Sequence, residues 1–283
     1  AQAEDFFWQV EDSYILSLGR NAEVRGKDGV GSDYLQRAFE ITRTSQEDYE
    51  QLDDSIKEIA VAYSDGLNYY LKTHPDVKPR LITKFEPWHL LAYDRFIILG
   101  FMYGKAHAPK PKPLGMEKEA ADANPVSDPN NPLALLADTH IDKVVGSNQW
   151  AIAPSKTATG NAMLFVNPHQ PWYGAGQFYE AHVKSDQGLH MSGSCFYGSP
   201  FPSMGHNEHL GWCHTVNEPD VADVYRETFD DAKNPLNYKY GDGYKQATEW
   251  TDVIKVKTER GLVEQPVKFR KTHHGPCVLQ ESE

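Results

Sequence analysis

The chain has 283 residues, of which 12% are aromatic and 24% charged, a composition that can bury a sizeable core and is not that of a disordered segment. Its 28 basic and 40 acidic side chains give a formal net charge of −12, which would repel a phosphate backbone and excludes nucleic acid as a natural partner. The longest apolar run, Phe96 to Tyr103, falls far short of the roughly 20 residues of a membrane span, and three cysteines without a Cys-x-x-Cys pair build neither a disulfide scaffold nor a zinc ribbon.

In chain order, the first element is an apolar helix carrying Phe6, Phe7, Val10, Tyr14 and Leu18. Ala1-Gln-Ala-Glu4 has neither an initiator Met nor a leader, and Val278–Glu283 stops just past a strand-like stretch, so both ends are expected to be those of a fragment. Leu52, Ile56, Ile59, Tyr63, Leu67 and Tyr70 recur at steps of three and four, one face of a second helix. Thr44-Ser-Gln-Glu47 before it has the form of a capping box. A third helix is expected from Pro87 to Gly104, with Pro in its first turn. Six of the 18 prolines then crowd into residues 108 to 132, a density that neither a helix nor a central strand survives. This stretch reads as a linker, an exposed loop or a removable spacer.

From Gln149 the pattern turns to strands. Trp150–Ile152 and Ala162–Val166 flank the turn-forming Lys156–Asn161, and further strands are expected at Gln177–Val183, His190–Cys195, Leu210–Thr215, Val221–Phe229 and Val267–Lys271. Helices, a Pro-rich spacer and then strands make an α+β or layered fold. The hairpin also suggests a site. Residues equidistant from its turn face each other, and the midpoint of 147 and 169 is Ala158, so Ser147 is expected beside Asn167-Pro-His169. A serine near a histidine is a candidate nucleophile and base, although a histidine that only supports the fold fits the hairpin as well. Rival chemistries lack support: there is no Gly-x-Ser-x-Gly elbow, no His-Glu-x-x-His, no phosphate-binding glycine loop, and His206, His209 and His214 are not spaced for one face of a strand.

Five motifs in order add a resemblance. They are Ala1-Gln-Ala-Glu-Asp-Phe-Phe-Trp-Gln9, Gly146-Ser-Asn-Gln-Trp150, Asn167-Pro-His-Gln-Pro-Trp172, Gly205-His-Asn-Glu-His-Leu-Gly-Trp-Cys-His-Thr215 and His274-Gly-Pro276. Together they span nearly the whole chain, which resembles the penicillin acylase family of N-terminal-nucleophile hydrolases, most nearly its acyl-homoserine-lactone and lipopeptide acylase branch. The resemblance implies a partial αββα-layered fold: a helical small-chain part over residues 1–107, a spacer over 108–146, and the start of a large chain over 147–283. It implies an inactive precursor that cuts its own Gly146–Ser147 bond and becomes a heterodimer of small and large chains, completed by the rest of the large chain. The freed α-amine of Ser147, with a reference pKa near 7.7–8.0, would then serve as base beside its own hydroxyl. Gly146, lacking a Cβ, leaves room for the attack.

Carried over position by position, the resemblance makes Ser147 the nucleophile, His169 an orienting partner of its amine, and Val216 the backbone donor of an oxyanion hole whose second donor lies further along the large chain. Gln170 and Trp172 become candidate walls of an apolar acyl pocket, Gln170 departing from the family's usual aromatic. Asp220, Ala222 and Asp223 match a Ca²⁺-binding spacing, the plain alternative being solvated carboxylates. No cofactor is required for the chemistry. The implied reaction is hydrolysis of a linear acyl amide, such as an N-acyl-homoserine lactone, a lipopeptide or a penicillin side chain, in the periplasm or outside the cell. Roles in quorum quenching or antibiotic biosynthesis would follow. The alternative is an inactive member that keeps the scaffold as a binding module. Whether Cys195 pairs with Cys213, leaving Cys277 odd, stays open on the sequence.

Overall fold

A computed structural model of the chain describes residues 1–105, 146–172, 174, 176–216 and 221–278. The expected spacer, 108–146, therefore lies outside the described residues except for Gly146. Among the described residues, six α-helices come first: α1 (Gln2–Ser17), α2 (Ala22–Arg25), α3 (Val30–Ala38), α4 (Ile41–Glu50), α5 (Asp54–Thr73) and α6 (His89–Lys105). Ten strands follow, β1 (Gly146–Ile152), β2 (Met163–His169), β3 (Phe178–Lys184), β4 (His190–Phe196), β5 (Met204–His206), β6 (Gly211–Trp212), β7 (Asn237–Tyr240), β8 (Gly243–Gln246), β9 (Thr248–Thr258) and β10 (Gly261–Lys271). Every named strand pairing is antiparallel, giving three hairpins, β1–β2, β7–β8 and β9–β10, and a sheet in the order β3-β4-β5-β6. The architecture is the expected mixture of helix and antiparallel sheet. Among the described residues, no helix is long and apolar enough to cross a membrane.

The main core is helical, and one β-loop enters it. Val10, Tyr14, Ala92, Tyr93 and Phe96 are fully or almost fully buried where α1 meets α6, with Leu67 of α5, Phe85 and Tyr197 beside them. Polar groups fix the register of this packing. Glu11, wholly buried, accepts hydrogen bonds from the backbone N–H groups of Arg80, Leu81 and Ile82 at 3.1, 2.8 and 3.0 Å, so one carboxylate satisfies three donors of a loop that has no ladder of its own. Tyr14 donates to Gly198 O at 2.8 Å, and Gln2 bridges Ser199 O at 2.7 Å and the Gly198 N–H at 3.1 Å, tying α1 to the loop after β4. A second cluster joins Ala22, Val30, Tyr34 and Ala38 to Ile254 and Val256 of β9 and Val267 and Phe269 of β10.

Several expectations shift. The Thr44 segment lies inside α4, where Thr44 Oγ1 donates to Glu40 O at 2.9 Å, a bond to the preceding turn and not a cap. The residue in the cap position of α5 is Asp53. Val221–Phe229 is not a strand: it forms no ladder with a named strand, and it is held by one backbone bond, from Lys239 N–H to Thr228 O at 2.9 Å, and by side chains, with Tyr225 stacked on His274 and Phe229 against Tyr238. The β1–β2 register is one residue away from the expected one. Gly146 pairs with His169 and Ser147 with Pro168, because the pairing closes at Ile152 and Met163 and the even-numbered connection between them puts the midpoint between Thr157 and Ala158 and not on Ala158. A one-residue slip changes faces, so His169 shares its face with Gly146 and Asn148, and Ser147 takes the other.

Candidate active site

The site grows from that register. Ser147, Pro168, Gln170 and Val216 line one cavity of about 330 Å³ together with Phe101 and Met102 of α6, Phe178 of β3, Phe196 of β4 and Met204 of β5. Ser203, His214, Thr215 and Val221 complete its wall. The strands build the apolar side directly: Phe178 is the register partner of Phe196, and their rings stack at 4.6 Å. Met204 reaches the cavity because β4 and β5 approach unusually closely. A Cβ on Gly193 would sit 1.9 Å from Met204 O, and one on Gly205 would sit 2.0 Å from Ser192 O, so both facing positions require glycine.

Ser147 Oγ donates to the Gly146 carbonyl oxygen at 2.5 Å, which sets the hydroxyl against the peptide bond that precedes it. Across the hairpin, His169 Nε2 lies 2.9 Å from Asn167 Oδ1 and 3.2 Å from Asn148 Nδ2, and Asn148 Nδ2 itself donates to Asn167 Oδ1 at 3.3 Å. Asn167 Oδ1 can only accept, so the consistent network has Nε2–H donating to it. Nδ1 is then left as an acceptor. It faces Gly146, where an added Cβ would stand 3.5 Å away, in ordinary contact. The glycine is thus not sterically compelled by its neighbours, and the sequence argument for it rests on the attack geometry alone.

The remaining sequence-derived positions divide. Gln170 lines the cavity, whereas Trp172 is 90% exposed and is not part of its wall. Asp220 lies outside the described residues. Asp223 is exposed, and its Oδ2 accepts from Tyr225 Oη at 3.4 Å; with Asp220 undescribed, two of the three expected Ca²⁺ donors have positions, against the 6–8 oxygens the ion takes. The cysteines do not pair. Cys195 is buried beside Gln2 Nε2 at 3.6 Å, and Cys213 Sγ faces Gln149 Oε1 on β1. Burial pushes the Cys195 thiol up to about 11. Sequence reasoning missed Phe101, Met102, Phe178, Phe196 and Met204 as site residues. Their apolar character was visible, but apolar runs in helices and strands read as core unless the fold shows a cavity beside them.

Comparison with known proteins assigns the whole chain, residues 1–283, to the penicillin amidase family model. Penicillin acylase 2 proenzyme of Pseudomonas sp. (strain SE83) is 28% identical over 312 residues, covering 98% of this chain and 40% of that protein. Acyl-homoserine lactone acylase PvdQ of Pseudomonas fluorescens (strain Pf0-1) is 33% identical over 131 residues, 45% of this chain and 17% of that protein. Aculeacin-A acylase of Actinoplanes utahensis is 31% identical over 160 residues, 56% of this chain and 20% of that protein. The chain thus spans at most 40% of the length of these relatives. By the match of the family model over its full length, the chain belongs to the penicillin amidase family.

Proposed function

We propose that this chain is part of an amide hydrolase of the αββα-layered N-terminal-nucleophile type, with Ser147 as its nucleophile. The observation that carries the reading is the convergence of Ser147, Gln170 and Val216 on one cavity with an aromatic and Met-lined wall. Maturation comes first. Ser147 Oγ attacks the Gly146 carbonyl carbon, the acyl group moves from nitrogen to oxygen, and water hydrolyses the ester. Gly146 then ends the 108–146 spacer, whose removal leaves a small chain over residues 1–107, and Ser147 begins the large one. The hydrogen bond from Oγ to the Gly146 carbonyl oxygen keeps the hydroxyl next to the peptide bond that this step cuts.

In the mature enzyme the Ser147 α-amine, through a bridging water, takes the Oγ proton as Oγ attacks the substrate amide. The Val216 N–H is one oxyanion donor, and its loss would cost about 10²–10³ in rate. The tetrahedral intermediate collapses, the C–N bond breaks, and the amine leaves with the transferred proton. Water then cleaves the acyl-Ser147 ester to the carboxylic acid. His169 Nδ1 accepts a hydrogen bond from the amine and orients it. The acyl chain occupies the cavity against Phe178, Phe196 and Met204. A structural Ca²⁺ held by Asp220, Ala222 O and Asp223 with oxygens from elsewhere in the longer protein belongs to the same proposal, as do the heterodimer and an exported location. The test is turnover of N-acyl amides by the full-length protein and its Ser147→Ala variant. Release of carboxylic acid by the first and not by the second is expected; equal release by both would overturn the assignment.

A further inference from the structure

The His274-Gly-Pro276 motif plays no part in the chemistry above, yet it sits in a cluster with the donor set of a transition-metal site. Glu227, His273 and His274 present one ligand atom each, all within 4.8 Å of one another. His274 Nδ1 is 2.8 Å from Glu227 Oε1. Tetrahedral zinc ligands about 2.0–2.2 Å from the ion lie about 3.3–3.6 Å apart, so the His274–Glu227 pair opens slightly and a pair at the 4.8 Å limit closes by about 1.3 Å, within reach of side-chain rotation.

The surroundings hold both rings. The Tyr225 ring lies flat on His274, with centroids 3.7 Å apart and planes 3° from parallel. His273 Nδ1 is 2.9 Å from the hydroxyl of the buried Tyr238, which also accepts from the His273 backbone N–H at 3.2 Å. A metal on His273 Nε2 leaves the ring proton on Nδ1, and Tyr238 Oη is the acceptor in place to take it, the outer-shell arrangement that orients ligating histidines.

We propose that Glu227, His273 and His274 form a site for a divalent transition-metal ion of the Zn²⁺ class, clipping the irregular stretch 221–229 to the end of β10. Two imidazole nitrogens and one carboxylate suit Zn²⁺ and not Ca²⁺, which takes oxygen ligands, so the site is distinct from the one expected at Asp220, Ala222 and Asp223. Three protein ligands leave at least one position for water. The clip also reaches the cavity, because Val221, at the start of the clipped stretch, is part of its wall. The inference rests on the local geometry and not on the amidase reading.

The test uses metal-stripped full-length protein titrated with Zn²⁺ alone, read by calorimetry and by the thermal midpoint. Wild type is expected to bind one Zn²⁺ more per chain than His273→Ala, and to gain a thermal shift that this variant lacks. His273 is exposed, so its truncation leaves the core intact. Tyr238→Phe keeps the buried ring and removes the outer-shell acceptor; it is expected to weaken Zn²⁺ binding about 10–100-fold while folding normally. Equal Zn²⁺ stoichiometry and affinity in wild type and His273→Ala would overturn the proposal, as would displacement of the Zn²⁺ by an equal concentration of Ca²⁺.

Discussion

His89 shows how much a single buried side chain decides. Burial holds its pKa down at about 4, against an ordinary value of 6.5, and its Nδ1 accepts the Glu86 N–H at 3.2 Å, so the ring is neutral in the fold. The unfolded chain binds a proton near pH 6.5 and the folded chain does not until about pH 4. The neutral form's advantage is therefore present above pH 6.5 and lost as pH falls through that window. At most about 3 kcal/mol is at stake. Thermal unfolding at pH 7 and pH 4.5 should show a smaller acid destabilisation in His89→Gln than in wild type. Glu11 is a second case. Glu11→Ala leaves three backbone donors near Arg80 without their acceptor and is expected to cost at least about 3 kcal/mol, read as a fall in the denaturation midpoint. At the site, Phe178→Leu opens the wall of the cavity and should favour longer acyl chains over shorter ones by about 10-fold in kcat/KM, as one methylene's discrimination allows. An unchanged chain-length profile would place the acyl group elsewhere.

At the scale of elements, the β4–β5 pair is the most constrained part of the site. Gly193→Ala would drive a methyl group against Met204 O, and strand separation is expected to destabilise the protein by at least about 2 kcal/mol while displacing Met204 from the cavity. Circular dichroism melts and chain-length profiles of the variant check both effects. The same scale explains what could be read from residue order. The helical period of residues 52–70 and the apolar runs of α1 and α6 were legible because each carries one continuous apolar face. The β1–β2 hairpin was legible from its turn chemistry, but its register was not, since turn-forming residues do not say whether the connection between the paired ends is odd or even in length. Helices α2 to α4 were missed because they are short and their amphipathic faces are completed from far along the chain, those of α2 and α3 by β9 and β10 more than 200 residues later and that of α4, through Ile41, by the main helical core. Val221–Phe229 looked like a strand by its β-branched and aromatic residues, yet tertiary packing on His274 and Tyr238 holds it without a ladder. Trp172 misled for a related reason: a large apolar residue in a motif reads as a pocket wall, and only its exposure in the fold shows that it is not.

Taken whole, the helical and β parts are joined by interactions that cross the Gly146–Ser147 bond in sequence. Tyr14 and Gln2 bind the loop after β4, Arg37 pairs with Asp252 at 2.6 Å, Lys271 pairs with Glu40 at 2.6 Å, and Ile254, Val256, Val267 and Phe269 pack on α3. Buried apolar contact of this kind does not depend on chain continuity. Cleavage before Ser147 is therefore expected to leave the two chains co-purifying under native conditions and separating in denaturant. The motif series was legible across the whole chain, and the family match bears it out; the cavity was not, because its lining comes from α6, both β1–β2 strands and the β3–β6 sheet at once. The central claim is that Ser147 becomes an N-terminal residue, and intact mass with N-terminal sequencing of the purified full-length protein tests it most directly. Two chains are expected, one of them beginning Ser147-Asn-Gln-Trp150; a single uncut chain that nonetheless turns over acyl amides is incompatible with an N-terminal nucleophile.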